Sequence, residues 1–289
     1  MQIEDRIRAL PIWQGDVRLS RLGGGITNLN FLAEDQARRA VVRVGDDIPV
    51  HGILRFNELA ASRAAHAAGI SPAVLHHAPG LLVIDFIDGR TLTAGELRQD
   101  DLLDQALDLV IRTHRDVPKF LRGASLTFWV FQVLRDYAAS LRLGSSPHVA
   151  ALPDLSAAAS LLEQAVGRIE MVFGHNDLLP ANFLHDGARM WLIDWDYAGW
   201  GSPLFDLGGL AANNALSGAM EERMLVRYYG ALDTDLLRRY RAMKAAAALR
   251  EAMWSMVSEL YSELEFDYAG YTAVNLETYR TALDAWRQT

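Results

Sequence analysis

Apolar residues recur along this chain in two rhythms, and the change between them divides it near residue 87. Before that point the apolar runs are short and broken by glycine, proline or polar pairs, which predicts strands and turns. A short amphipathic helix at the start leads into a strand near residues 17–19. Strand-like segments flank Gly23, Gly24 and Gly25, and a further strand covers 40–44. A helix over 53–68 is closed by Gly69 with Pro72 beyond. Residues 73–77 and 81–87 read as strands around Pro79-Gly80. After Thr91 the spacing becomes helical. Thr93 and Glu96 form a capping box, and Leu103, Ala106, Leu107 and Val110 repeat as one helix face. Further helices are predicted over 128–143 and 155–169, and from beyond Leu207 to the end with Gly230 between two of them. One interruption stands out. Residues 171–173 and 190–193 read as short buried strands, and the Gly/Ser/Pro-rich stretch 197–207 reads as a loop.

That interruption carries the chemistry. Asp177, Asn182, Asp194 and Asp196 sit between and just after the two strands. Carboxylates beside buried strands repel one another and lose hydration, and a bound cation relieves both costs. The donors are hard oxygens and the chain has no cysteine, so magnesium fits and zinc or iron does not. His175-Asn176-Asp177 followed by Asn182 is the H-x-D-x4-N frame of a kinase catalytic loop, and Asp194 ends the strand where kinases place a second metal-binding aspartate. On this reading Asp177 orients an acceptor hydroxyl and takes its proton. Asn182 and Asp194 hold Mg2+ on ATP, with Asp196 as a further candidate. An Asp/Asn-rich hairpin with no catalytic role is the plainer reading of the first motif alone; the strand that follows at this distance argues against it.

Composition narrows the class. The 289 residues are about half apolar, enough for a sizeable core in one large or two modest domains. A net charge of −8 argues against nucleic acid or an anionic membrane as partner. No run approaches the roughly 18 apolar residues of a membrane span, and the acid-bearing start is unlike a signal peptide, so the cytoplasm is the expected compartment. Oligomeric state is left open by the sequence.

The runs GHNDLLPANFL and LIDWDYAGWGSPLFDLGGLA resemble the choline/ethanolamine kinase family and, more distantly, the aminoglycoside phosphotransferases. The resemblance covers nearly the whole chain. It implies an α+β, two-lobed protein-kinase-like fold: a small antiparallel-sheet lobe over 1–87 and a larger, mostly helical lobe over 88–289. It also implies site roles. Gly23, Gly24, Gly25, Thr27 and Asn28 lie in a G-G-x-T-N run similar to the family's phosphate-covering hairpin. The chain has only two lysines, both beyond residue 100, so Arg43 on its V-x-R-V strand takes the phosphate-binding place, paired with Glu58 of the next helix. The backbone of Phe86 and Ile87 falls at the hinge that meets adenine, and Asp206 supports the catalytic loop. From Glu251 to Tyr279 the chain has six acids, several aromatic rings and no Lys or Arg, a composition suited to an organic cation. Trp254 and Tyr271 match the residues that box the ammonium in choline kinases.

Three positions depart from the family pattern. Glu251 stands where a second tryptophan is common, Asn213 where a glutamate is common, and Leu179 where a glutamine is common. The expected substrate is a small cationic amino alcohol, choline or ethanolamine, with Glu251 facing the amine. A kinase for aminoglycosides or for a thiamine-type alcohol, and a non-catalytic ligand sensor of the same fold, stay open at this point.

Overall fold

The computed structural model describes residues 2–23 and 28–289. The first part comprises α1 (Ile3–Arg8), β1 (Arg18–Leu22), β2 (Leu29–Glu34), β3 (Arg39–Val44), α2 (Arg55–Ala67), β4 (Val74–Ala78) and β5 (Leu81–Asp85). Its five strands form one antiparallel sheet in the order β1-β2-β3-β5-β4. The period of two along β3 decides what the sheet can do. Ala40, Val42 and Val44 turn into a small core with Ile7, Phe31, Ala33 and Val83. Arg43 therefore points to the opposite face, where α2 lies, and its register partner on β5 is Leu82.

The remainder runs β6 (Arg90–Thr91), α3 (Ala94–Leu97), α4 (Asp100–Phe120), α5 (Val130–Leu143), α6 (Leu152–Val166), β7 (Val172–Gly174), β8 (Phe183–His185), β9 (Met190–Leu192), β10 (Gly199–Gly201), α7 (Pro203–Asn213), α8 (Gly218–Tyr229), α9 (Thr234–Tyr261) and α10 (Tyr268–Arg287). Thr93 and Glu96 form the expected reciprocal cap of α3. The 28-residue α9 is the spine: every residue from Ala245 to Ser258 is buried, and α5, α6, α7 and α10 pack around it. A helix apolar on all sides needs neighbours on all sides. Alanine and glycine let them come close, and a Cβ on Gly208 of α7 would stand 2.9 Å from the Lys244 backbone.

The structure corrects one boundary in a telling way. Residues 203–207, expected in a loop, are the start of α7, which Ser202 caps by accepting from the Leu204 amide, and residues 199–201, expected in the same loop, are a strand paired antiparallel to β7. The glycines there are not turn formers. The backbone of 126–128 runs alongside, with the Trp200 amide donating to Leu126 O and the Phe128 amide to Trp200 O. A Cβ on Gly199 would stand 2.8 Å from Leu126 O, and one on Gly201 2.5 Å from Phe128 O. Gly201→Ala is expected to destabilise the protein by about 1–3 kcal/mol through this overpacking, read as a lower urea midpoint with an unchanged m-value. Among the described residues no helix is long and apolar enough to cross a membrane.

Candidate active site

The loop after β7 is pinned from below. Asp206, in the first turn of α7 and 1% exposed, accepts the amides of His175 (2.9 Å) and Asn176 (2.7 Å) and faces His114 Nε2 at 2.8 Å. Burial alone would raise its pKa, but the hydrogen bond and charge of His114 hold it below the ordinary range. Asn176 adopts a left-handed φ of 64°, which asparagine tolerates better than most residues. Its side chain donates to Tyr197 O at 3.0 Å. These contacts aim Asp177 outward from the loop. His175 Nε2 reaches Ile193 O at 2.9 Å and so ties this loop to the β9 end, where Asp194 also has a left-handed φ, 69°.

Asn182 closes the gap between the two segments. Its Nδ2 donates to Asp177 O (2.8 Å) and Oδ2 (3.1 Å), which leaves the amide oxygen for another partner. The electrostatics are those of a site short of positive charge. Burial holds Asp177 well above the usual carboxylate range; Glu251 and Asp194 reinforce that, and Arg250 opposes it. Among the described residues no three His, Cys, Asp or Glu side chains form a metal cage of their own. Magnesium does not require one: it binds through one or two protein oxygens and takes the rest from water and substrate phosphates. Asp194 and the Asn182 amide oxygen fit that demand.

Arg43 stands above this pair. Its Nε lies 3.0 Å from Glu58 of α2, and its Nη2 lies 2.7 Å from Asp194 and 3.2 Å from Asp196. Burial would raise the Asp194 pKa; the Arg43 ion pair outweighs it and the shift is downward. Asp196 differs from Asp194. Its Oδ1 is shared by Arg43 and Arg55 (2.9 Å) and its Oδ2 accepts from Asn28 (2.9 Å), so both oxygens are engaged. Burial and then the neighbouring Asp194 charge push its pKa up to about 7. Arg55 also bonds Glu58 (2.8 Å) and Asn28 (2.6 Å).

The remaining nucleotide-side residues fall as follows. Gly23 follows β1, and Asn28 joins the Arg55–Asp196 cluster. Gly24, Gly25 and Thr27 lie outside the described residues. Phe86 and Ile87 follow β5; the Phe86 amide donates to Arg39 O at 3.3 Å, with the Arg39 guanidinium over its ring at 4.0 Å.

On the other side of Asp177 stand α9 and α10. Tyr271 OH donates to Glu251 at 2.8 Å, and its ring lies edge-on to Trp254 at 6.3 Å. Trp254 is buried and donates Nε1 to Tyr197 OH at 2.8 Å. A cavity of about 380 Å³ opens beside it, bounded by His51, Val50, Tyr261 and Leu264. His51 rests on Trp254 (5.2 Å between centroids), with Nδ1 3.2 Å from Tyr137 OH and Nε2 3.1 Å from Ser258 Oγ.

Burial, helped by the Arg250 charge, lowers the His51 pKa to about 3 from 6.5. The unfolded chain therefore takes up this proton first, and stability is lost as pH falls from 6.5 toward 3. The linkage amounts to about 3 kcal/mol by pH 4. In His51→Asn the acid limb of Tm between pH 6.5 and 4 is expected to be shallower than in the parent.

Sequence reasoning missed Arg250, Arg55, Tyr197 and His51. Arg250 escaped because the cation-poor stretch was counted from the next residue, although Arg250 and Trp254 are four apart on one helix. Arg55 carried a signal in its i,i+3 spacing to Glu58.

Comparison with known proteins gives the family. The model of the phosphotransferase enzyme family matches residues 18–247. Protein LicA of Haemophilus influenzae is 25% identical over 263 residues, 88% of this chain and 76% of that protein. Ethanolamine kinase 2 of Mus musculus is 25% identical over 306 residues, 93% of this chain and 77% of its own length. The crystal structure of a choline/ethanolamine kinase family protein from Mesorhizobium loti superposes with a TM-score of 0.76 at 26% identity, covering 100% of both chains. Four-fifths of the sequence, including the loop after β7 and the end of β9, thus falls under one family description, and the chain belongs to the phosphotransferase enzyme family.

Proposed function

We propose that the protein is an ATP- and magnesium-dependent kinase that phosphorylates the hydroxyl of a small cationic amino alcohol of the choline/ethanolamine type. The observation that carries this reading is the placement of Asp177. It is hydrogen-bonded to Asn182 on one side and lies 4.0 Å from Arg250 on the other, with Glu251 next to that arginine. The names of the relatives, ethanolamine kinase 2 and the choline/ethanolamine kinase family protein, support the same substrate class.

In this scheme residues 1–87 form the nucleotide lobe and 88–289 the catalytic lobe. The backbone of Ile87 and the Phe86 carbonyl face the base. Gly23 and Asn28 lie on the phosphate side, and Arg43 lends the phosphates a permanent forked cation held in place by Glu58. Magnesium, when bound, neutralises charge on the phosphates; the Asn182 amide oxygen and Asp194 would hold it. Asp196 organises the arginines behind them. Asp177 orients the acceptor hydroxyl and accepts its proton, and its raised pKa suits a base that must also release it. Trp254, Tyr271 and Glu251 face the amine. The test is ADP release with Mg-ATP across choline, ethanolamine, thiamine and kanamycin. Turnover of an amino alcohol is expected; ADP release with kanamycin alone would replace this reading with an antibiotic kinase.

A further inference from the structure

The acceptor side of Asp177 already contains a cation. Arg250 is 3% exposed, yet it is not held in the manner usual for a buried arginine. Its Nη1 pairs with Glu251 at 2.8 Å and lies 4.0 Å from Asp177. The guanidinium carbon sits 4.2 Å from the centroid of the Tyr197 ring and 5.8 Å from that of Phe128. Among the described residues neither Nε nor Nη2 has a partner at good hydrogen-bond geometry, and the polar group that acts most strongly on the guanidinium is the buried Tyr137 hydroxyl. A buried donor without a partner costs about 1–3 kcal/mol, so the whole free edge is an expensive arrangement for an arginine. Ring faces and carboxylates without matched acceptors are instead what an alkylammonium needs.

Two further observations bear on what can enter. Glu251 is fully engaged, one oxygen by Arg250 and the other by Tyr271 OH. The space bounded by Asp177, Arg250, Glu251 and Asn213 is only about 10 Å³. That is the room needed for about one water molecule. A primary ammonium is the size of a water and brings three N–H donors to the carboxylates. A trimethylammonium is several times larger, donates no ordinary hydrogen bond, and requires the ring face and the free carboxylate that Arg250 occupies.

We propose that Arg250 sets the acceptor specificity of this enzyme: it is a tethered cation in the aromatic and acidic cage beside Asp177, it excludes quaternary ammonium heads, and it restricts the substrate to primary-amine alcohols such as ethanolamine. This rests on the kinase reading above and narrows it.

The experiment compares the parent with Arg250→Ala, and with Arg250→Gln should the alanine variant not fold. The parent is expected to favour ethanolamine over choline by at least about tenfold in kcat/KM, within the range a few methyl groups can supply. Emptying the cage should move that ratio at least about tenfold toward choline, a gain that a purely structural role of Arg250 does not produce. Binding of tetramethylammonium, followed by tryptophan fluorescence, should appear in the variant and be absent in the parent. This readout is independent of turnover. A parent that prefers choline overturns the proposal, as does an unshifted ratio with no tetramethylammonium binding in the variant; either leaves the kinase reading intact. Absence of ADP release with every amino alcohol refutes the kinase reading itself, while the fluorescence titration still decides whether Arg250 fills a cation cage.

Discussion

Asp177→Asn is expected to fold with an unchanged or slightly raised Tm and to lose at least about a thousandfold in kcat, the scale at which removal of a positioned base acts. The two halves of this result have one cause. Asp177 is a carboxylate out of water beside Glu251 and Asp194, and burial pushes its pKa well up. Such a group is a cost to the folded state. Asparagine keeps the shape and the contact with Asn182 while removing the charge, so the fold gains or stays level. The acceptor hydroxyl, however, loses the only atom placed to take its proton in the proposed scheme. Single-turnover measurements separate the effect from binding: the Kd for Mg-ATP should stay within a few-fold of the parent. Near-normal turnover would remove Asp177 from its role.

Asp206→Ala is expected to do the reverse, costing stability first and activity through it. The substitution strands the amides of His175 and Asn176 and the Nε2 of His114, all buried. Breaking a buried, hydrogen-bonded charge of this kind costs about 3–5 kcal/mol. For a chain of this size the melting temperature should drop by about 10 °C. Well below that temperature kcat should still be reduced, because the left-handed Asn176 that aims Asp177 is no longer tied down. A variant that melts like the parent would show that the loop holds its shape without Asp206.

The candidate catalytic segment was legible because its constraints are local. H-x-D-x4-N and I-D-x-D place their polar residues at fixed offsets beside short strands, and the structure brings Asp177 and Asn182 into contact as that spacing requires. Arg43 was singled out by the lack of any lysine before residue 100 and by the V-x-R-V resemblance, and the Glu58 pairing followed from the same resemblance; the 3.0 Å contact is present. Long-range partners were less visible. Nothing near Gly199 or Gly201 reveals that residues 126–128 pass at van der Waals distance, so glycines needed for close packing read as a loop. His51 acquires its surroundings only when a segment between β3 and α2 meets α9 and α5, two hundred residues away in the case of Ser258. Arg250 was hidden in plain view, since a charge on a helix reads as solvent-facing until the helix proves to be wrapped on every side.

That wrapping has a consequence for how the protein breathes. Arg250, Glu251 and Trp254 are cut from the same stretch of α9 on which the neighbouring helices lean. Sub-global opening draws on loosely packed units, and this stretch belongs to the last to come apart. In the proposed scheme the wall that meets the acceptor is therefore a fixed mould. A new acceptor preference can arise by exchanging one side chain of the mould while its backbone stays where it is.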